Sequence, residues 1–152
     1  MQFRSMVWLL TAVALIGSAT SCQSGGKQRG DDPTLEALVR EPVATLKLPG
    51  GKVVVDVRAE AITGGKSIPA RILRVFAFGT PARARAGRTA AVNAAVADGW
   101  DITRGPRPTA LFGAKTLASG PAMLVIQQYN EDGIDKVSIR LEHIRCPSTL
   151  CG

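Results

Sequence analysis

Arginine offers the most chemistry in this 152-residue chain. Arg83, Arg85 and Arg88 stand in the run PARARAGR, and Arg104 and Arg107 follow in TRGPRP. A guanidinium presents a planar fork of donors that grips phosphate or carboxylate at two points. Residues 58–107, which also contain Arg71 and Arg74, hold nine basic and three acidic side chains. The stretches 22–57 and 108–152 are each balanced, so the positive excess beyond residue 22 sits in the middle third. Arg83, Arg85, Arg88, Arg104 and Arg107 are therefore candidate anion-binding residues. The partners such chemistry suits are anionic lipid, a wall polymer or an acidic protein. A solvated basic loop has the same composition.

Other reactive groups are sparse. His143 is the only histidine. It shares a strand face with Val137, Ile139 and Leu141, which suits an imidazole at the edge of a core. No second histidine joins it as a metal ligand, and no nucleophile-elbow motif accompanies it. Asn130, Glu131, Asp132 and Asp135 resemble part of a calcium loop but lack its spacing and its distal glutamate, and read as a solvated turn. No GxxxxGK[ST] phosphate loop occurs, and no pair of carboxylates is singled out for glycoside hydrolysis. Beyond residue 22 the aromatic residues are Phe76, Phe78, Trp100, Phe112 and Tyr129, too few for a base- or sugar-stacking platform. No metal or cofactor is expected, and nucleic acid is not an expected partner.

The N-terminus carries an address. Arg4 is followed by the apolar run MVWLLTAVALI and then by small residues, the pattern of a secretory signal. The run is shorter than the roughly 20 residues that a membrane-spanning helix needs. The segment Ala19-Thr20-Ser21-Cys22 resembles the lipobox of bacterial lipoproteins, with alanine where leucine is typical. The resemblance implies cleavage before Cys22, a thioether-linked diacylglycerol on its sulfur, and acylation, as with palmitate, of the new amino group. Two or more acyl chains hold a protein stably on a membrane. With Cys22 lipidated, Cys146 and Cys151 remain as a pair in an oxidising compartment. A disulfide there closes a short loop and pins the terminus, worth roughly 2 kcal/mol. C-x4-C without a second cysteine pair is a poor zinc site and is not the C-x-x-C of thioredoxin-like redox proteins. Gln23 is not an aspartate retention signal, so the sequence leaves inner and outer membrane both open.

These features divide the chain into a signal peptide (1–21), a lipidated cysteine with a Gly-rich flexible tether (22–32), and one small domain (33–152). Within the domain, Asp32 and Pro33 start a short helix over 34–41 that Pro42 stops. Residues 44–48 and 52–62 read as a hairpin about Pro49-Gly50-Gly51, with Val53, Val55, Val57, Ala59 and Ala61 on one face. Residues 68–78 fit a strand better than a helix. The main helix is expected over 89–98, capped by Thr89, burying Val92, Ala95 and Val96, and ended by Gly99. Its Gly99-Trp100 reversal into WDIT is similar to GW segments of small bacterial α+β domains and of actinobacterial lipoproteins, which implies a fold and no activity. Segments 109–117, 121–129 and 135–144 read as a meander, with a tight turn at Glu131-Asp132-Gly133.

The expected fold is α+β: an antiparallel sheet of five to six strands with one main helix packed on one face. The two arginine segments flank that helix as loops at one edge. The expected role is a membrane-tethered extracytoplasmic binding or scaffold module of the cell envelope, without enzymatic activity. The alternatives are an envelope hydrolase acting on wall material, and a carrier of an apolar ligand held between helix and sheet.

Overall fold

The computed structural model describes residues 32–62, 67–105 and 108–144. Cys22, Cys146, Cys151 and Arg107, with the signal segment and the tether as far as residue 31, lie outside the described residues. At the first described residue, the Asp32 carboxylate accepts from the Thr34 backbone N–H at 2.9 Å and from its hydroxyl at 2.5 Å. Pro33 follows at the first helical position, and helix α1 spans Pro33–Arg40. The other oxygen of Asp32 accepts from the Ala61 N–H at 2.6 Å, tying the helix start to the end of the first strand. Burial works against the Asp32 carboxylate, but the bonds from Thr34 and Ala61 outweigh it and hold its pKa below the usual 3.8. A lowered acid stabilises the fold fully above its ordinary value and loses that contribution as pH falls through the folded value. Asp32→Ala is therefore expected to cost about 1–2 kcal/mol at neutral pH, a typical cap loss. In urea titrations, the gap between variant and parent should narrow as pH falls below 3.8.

The strands are β1 (Lys52–Ala59), β2 (Arg71–Phe78), β3 (Asp101–Arg104), β4 (Ala110–Leu117), β5 (Gly120–Glu131) and β6 (Ile134–His143), with helix α2 (Pro81–Ala97) between β2 and β3. They form one antiparallel sheet in the order β1-β2-β6-β5-β4-β3. The architecture is α+β, with α2 on one face. The β5–β6 hairpin turns at Asp132 and Gly133, with φ of 54° and 76°, the left-handed pair that a two-residue turn needs. The α2 crossover carries the chain from the second strand to the far edge, spanning the sheet. Beneath the helices, the fully buried Ile72, Phe76, Leu124, Ile126, Val137, Ile139 and Leu141 form one face of the sheet. Each such side chain contributes about 1.5–3 kcal/mol, so this face outweighs the caps.

Three expectations are corrected. Residues 44–48 do not form a strand. Pro42–Ala44 is a 3-10 turn, and the buried Arg74 guanidinium takes the carbonyls of Ala44 (3.3 Å) and Leu46 (2.6 Å), acceptors a sheet would have used. β1 pairs with β2 instead, and an irregularity between Val53 and Val55 breaks its alternation. Val53 lies opposite Phe76, whereas Val55 and Val57 lie opposite Val75 and Leu73 on the other face. The third correction concerns α2, which starts at Pro81 with Thr80 as its cap, not at Thr89. Thr80 Oγ1 accepts from the Arg83 N–H at 3.3 Å, and proline at the first position lacks only a hydrogen bond that position never makes. The run PARARAGR is thus helical rather than a loop. Its buried stripe is Ala84, Gly87, Ala91 and Ala95, while Val96 is 56% exposed.

Gly87 permits that stripe to lie close on the sheet. A Cβ there would stand 2.5 Å from Phe78 Cζ, and one on Gly51 would stand 2.8 Å from the same atom. The Phe78 ring is held between two glycines and cannot retreat from either. Gly87→Ala gains about 1 kcal/mol of helix propensity. The overlap is expected to reverse the sign, for a net loss of about 1–3 kcal/mol by urea denaturation. Combining it with Phe78→Leu should recover part of that loss in a double-mutant cycle.

Candidate functional site

On α2, Arg85, Arg88, Thr89 and Val92 fall at i, i+3, i+4 and i+7, so they form one stripe along the helix. The buried Ala84, Gly87, Ala91 and Ala95 press the neighbouring stripe onto the sheet. The arginine stripe is thereby turned towards the β3–β4 edge. Register fixes what it meets there. Arg104 of β3 pairs with Leu111 of β4, which pairs with Ile126 of β5, so the three share the helix-covered face. Gln128 follows two residues on along β5 and lies on that same face.

Together Arg85, Arg88, Thr89, Val92, Arg104, Leu111 and Gln128 line an open cavity of about 360 Å³. A second hollow of about 310 Å³ adjoins it, lined by Arg88, Arg104, Leu111, Gly105, Pro108 and Ala110. Arg88 is half-buried, and its Nη2 donates to the Pro108 carbonyl at 3.4 Å. Its Nε is buried and has no hydrogen-bond partner among the described residues. None of Arg85, Arg88 and Arg104 forms an ion pair among the described residues. Three guanidinium groups with a short apolar wall can hold an anion in a fork, and among the described residues no carboxylate lines the cavity to compete.

The structure separates the remaining arginines from this place. Arg83 sits on another side of α2, its Cδ 3.8 Å from where a Cβ on Gly50 would stand. Arg74 is spent on the Ala44 and Leu46 carbonyls and on an ion pair with Asp56 at 3.2 Å. Arg107 falls outside the described residues. Thr89, Val92, Leu111 and Gln128 were missed from sequence. The i, i+3, i+4, i+7 spacing was available for the helical members once Thr80-Pro81 is taken as the helix start. The strand members depend on pairing register, which has no local signal.

The other polar clusters are partnered mainly within themselves, although Trp100 Nε1 and Ser119 Oγ are buried without a hydrogen-bond partner among the described residues. His143 Nε2 lies 2.7 Å from the Ser119 carbonyl, which can only accept, so Nε2 carries a proton. Gly120, at φ +118°, leaves room for the ring: a Cβ there would be 3.2 Å from His143 Nε2. Lys115 Nζ reaches Glu41 at 2.7 Å and Asp98 at 3.3 Å, beside the Trp100 ring. Burial lowers the Lys115 pKa, but the bonds to Glu41 and Asp98 outweigh it and raise the group above 10.5. Glu41 and Asp98 cap the C-terminal ends of α1 and α2, so this lysine also sits where two helix dipoles favour a cation. At the β5–β6 turn, Asn130 bonds Asp135 at 3.3 Å and Glu131 pairs with Lys136. Among the described residues no three His, Cys, Asp or Glu side chains gather as metal ligands, and no helix is long and apolar enough to cross a membrane.

No family model, no curated protein and no solved structure matches the chain.

Proposed function

We propose that this protein is a lipid-anchored extracytoplasmic binding module whose ligand is an anionic component of the cell envelope. One observation carries the binding half of the reading: Arg85, Arg88 and Arg104 surround one cavity, with no acidic partner among the described residues. The anchoring half rests on the lipobox-like Ala19-Thr20-Ser21-Cys22. The two halves suit each other physically. The ten residues 23–32 can span at most about 35 Å, so a domain anchored at Cys22 stays close to the surface. Charge attraction acts over about 8–10 Å at physiological salt, so a basic cavity engages anions of the surface against which the domain rests.

Two measurements test the halves separately. Mass spectrometry of the N-terminal peptide should find a diacylglyceryl group on Cys22, and Cys22→Ser should release the protein from the membrane fraction. An unmodified Cys22 in a membrane-free protein would overturn the anchoring. For the ligand, binding of the released C22S protein to washed envelope should weaken as salt rises from 0.05 to 0.5 M, since exposed charge pairs are screened over about 4–14 Å in that range. Binding indifferent to salt would assign the contact to an apolar protein interface instead.

A further inference from the structure

We infer that the arginine cavity holds a phosphodiester: one singly charged phosphate with an organic group leaving it on each side. The inference rests on the anion-binding reading above and sharpens its ligand. Arg88 and Arg104 line both adjoining hollows, so a charge held between them sits at a junction and not at a dead end. A carboxylate or a phosphomonoester terminates its molecule and fills one side only. A diester continues in both directions. The larger hollow offers Thr89 and Gln128 as hydrogen-bonding groups beside Val92, which fits a hydroxylated substituent. The smaller is bounded by Gly105, Pro108 and Ala110, short side chains that leave space for a compact glyceryl-sized group.

The donors fit as well. Arg88 Nη2 makes one long bond among the described residues, to the Pro108 carbonyl at 3.4 Å, and Nε is closed to solvent. The Arg88 guanidinium lines both hollows, and a guanidinium grips two oxygens of one phosphate through two of its N–H groups. A diester has two such non-bridging oxygens, sharing a single charge. Arg104 then faces the same group from β3, and Arg85 stands at the rim.

The test is calorimetric titration of the full chain, purified in neutral detergent, with glycerophosphoglycerol and with glycerol 3-phosphate. Charge alone ranks the monoester first, because it carries close to two charges at neutral pH against one. The two-sided site ranks the diester first, by about tenfold or more, and Arg88→Lys should weaken the diester by about tenfold while keeping the charge. Vesicles of phosphatidylcholine with phosphatidylglycerol identify the source. Vesicle binding that glycerophosphoglycerol displaces supports a diester in a lipid headgroup; binding of the soluble diester without vesicle binding supports one in a soluble or wall-linked molecule. A monoester that binds as tightly as the diester overturns this inference and leaves anion binding standing. Failure of both phosphates, with salt-sensitive envelope binding retained, overturns the diester alone; failure of both together with loss of envelope binding removes the anion reading too.

Discussion

Phe76→Ala is expected to lower stability by about 3–5 kcal/mol, the usual cost of emptying an aromatic site in a packed core. Phe76 is 1% exposed in β2, opposite Val137 of β6 and beneath the helical layer. The Arg74 guanidinium lies 5.0 Å from its ring centroid, so the ring also supports the side chain that fixes the Ala44–Leu46 segment. The α2 face above is built from alanine and glycine, which have no side-chain length with which to fill a hole. The cavity would stay open, and Tm should fall by roughly 10–20 °C. Phe76→Leu should cost much less, about 1–2 kcal/mol, because it preserves most of the volume. Equal costs for the two would place Phe76 at a site that collapses, contrary to the packing described.

The second large effect is on binding. Replacing Arg85, Arg88 and Arg104 together by glutamine is expected to weaken envelope binding at least a hundredfold, since each charge-assisted contact is worth about 1.5–3 kcal/mol. The control is a triple change at Arg58, Arg83 and Arg140, exposed arginines away from the cavity, which removes the same charge. It should weaken binding less than tenfold, through long-range attraction alone. Both variants should unfold near the parent's midpoint, because none of the six is fully buried. If the two triples weaken binding equally, net charge and not the cavity does the work.

How far the sequence could be read follows from which signals are local. The β5–β6 turn, the Gly99 reversal and the Asp32-Pro33 helix start are each set by a few adjacent residues, and each was legible. Gly99 takes φ +82° and the Trp100 N–H returns to the Ala95 carbonyl at 3.0 Å, closing α2 as its residues foretold. The start of α2 is ambiguous in sequence because Thr80-Pro81 and Thr89 are both good caps. The alanine-rich stretch between them lacks the bulky stripe that marks an amphipathic helix. The 44–48 segment departs from the expected strand because its acceptors are satisfied by Arg74, about 30 residues away in sequence. The same limit applies to the site. Its arginines were visible as a charge excess, and their grouping depends on a helix start and on the β3–β4–β5 register. That grouping keeps Arg85, Arg88 and Arg104 together and leaves Arg83 apart.

The most direct test of the central claim is arginine footprinting of the protein in its own membrane. Phenylglyoxal modifies accessible guanidinium groups, and peptide mass mapping reads each position. Comparing protein in intact envelope with protein extracted into detergent, the account predicts protection at Arg85, Arg88 and Arg104, with Arg58, Arg83 and Arg140 labelled alike in both. Equal labelling of the cavity arginines in the two states, or protection centred on Arg83 or Arg58, would contradict it.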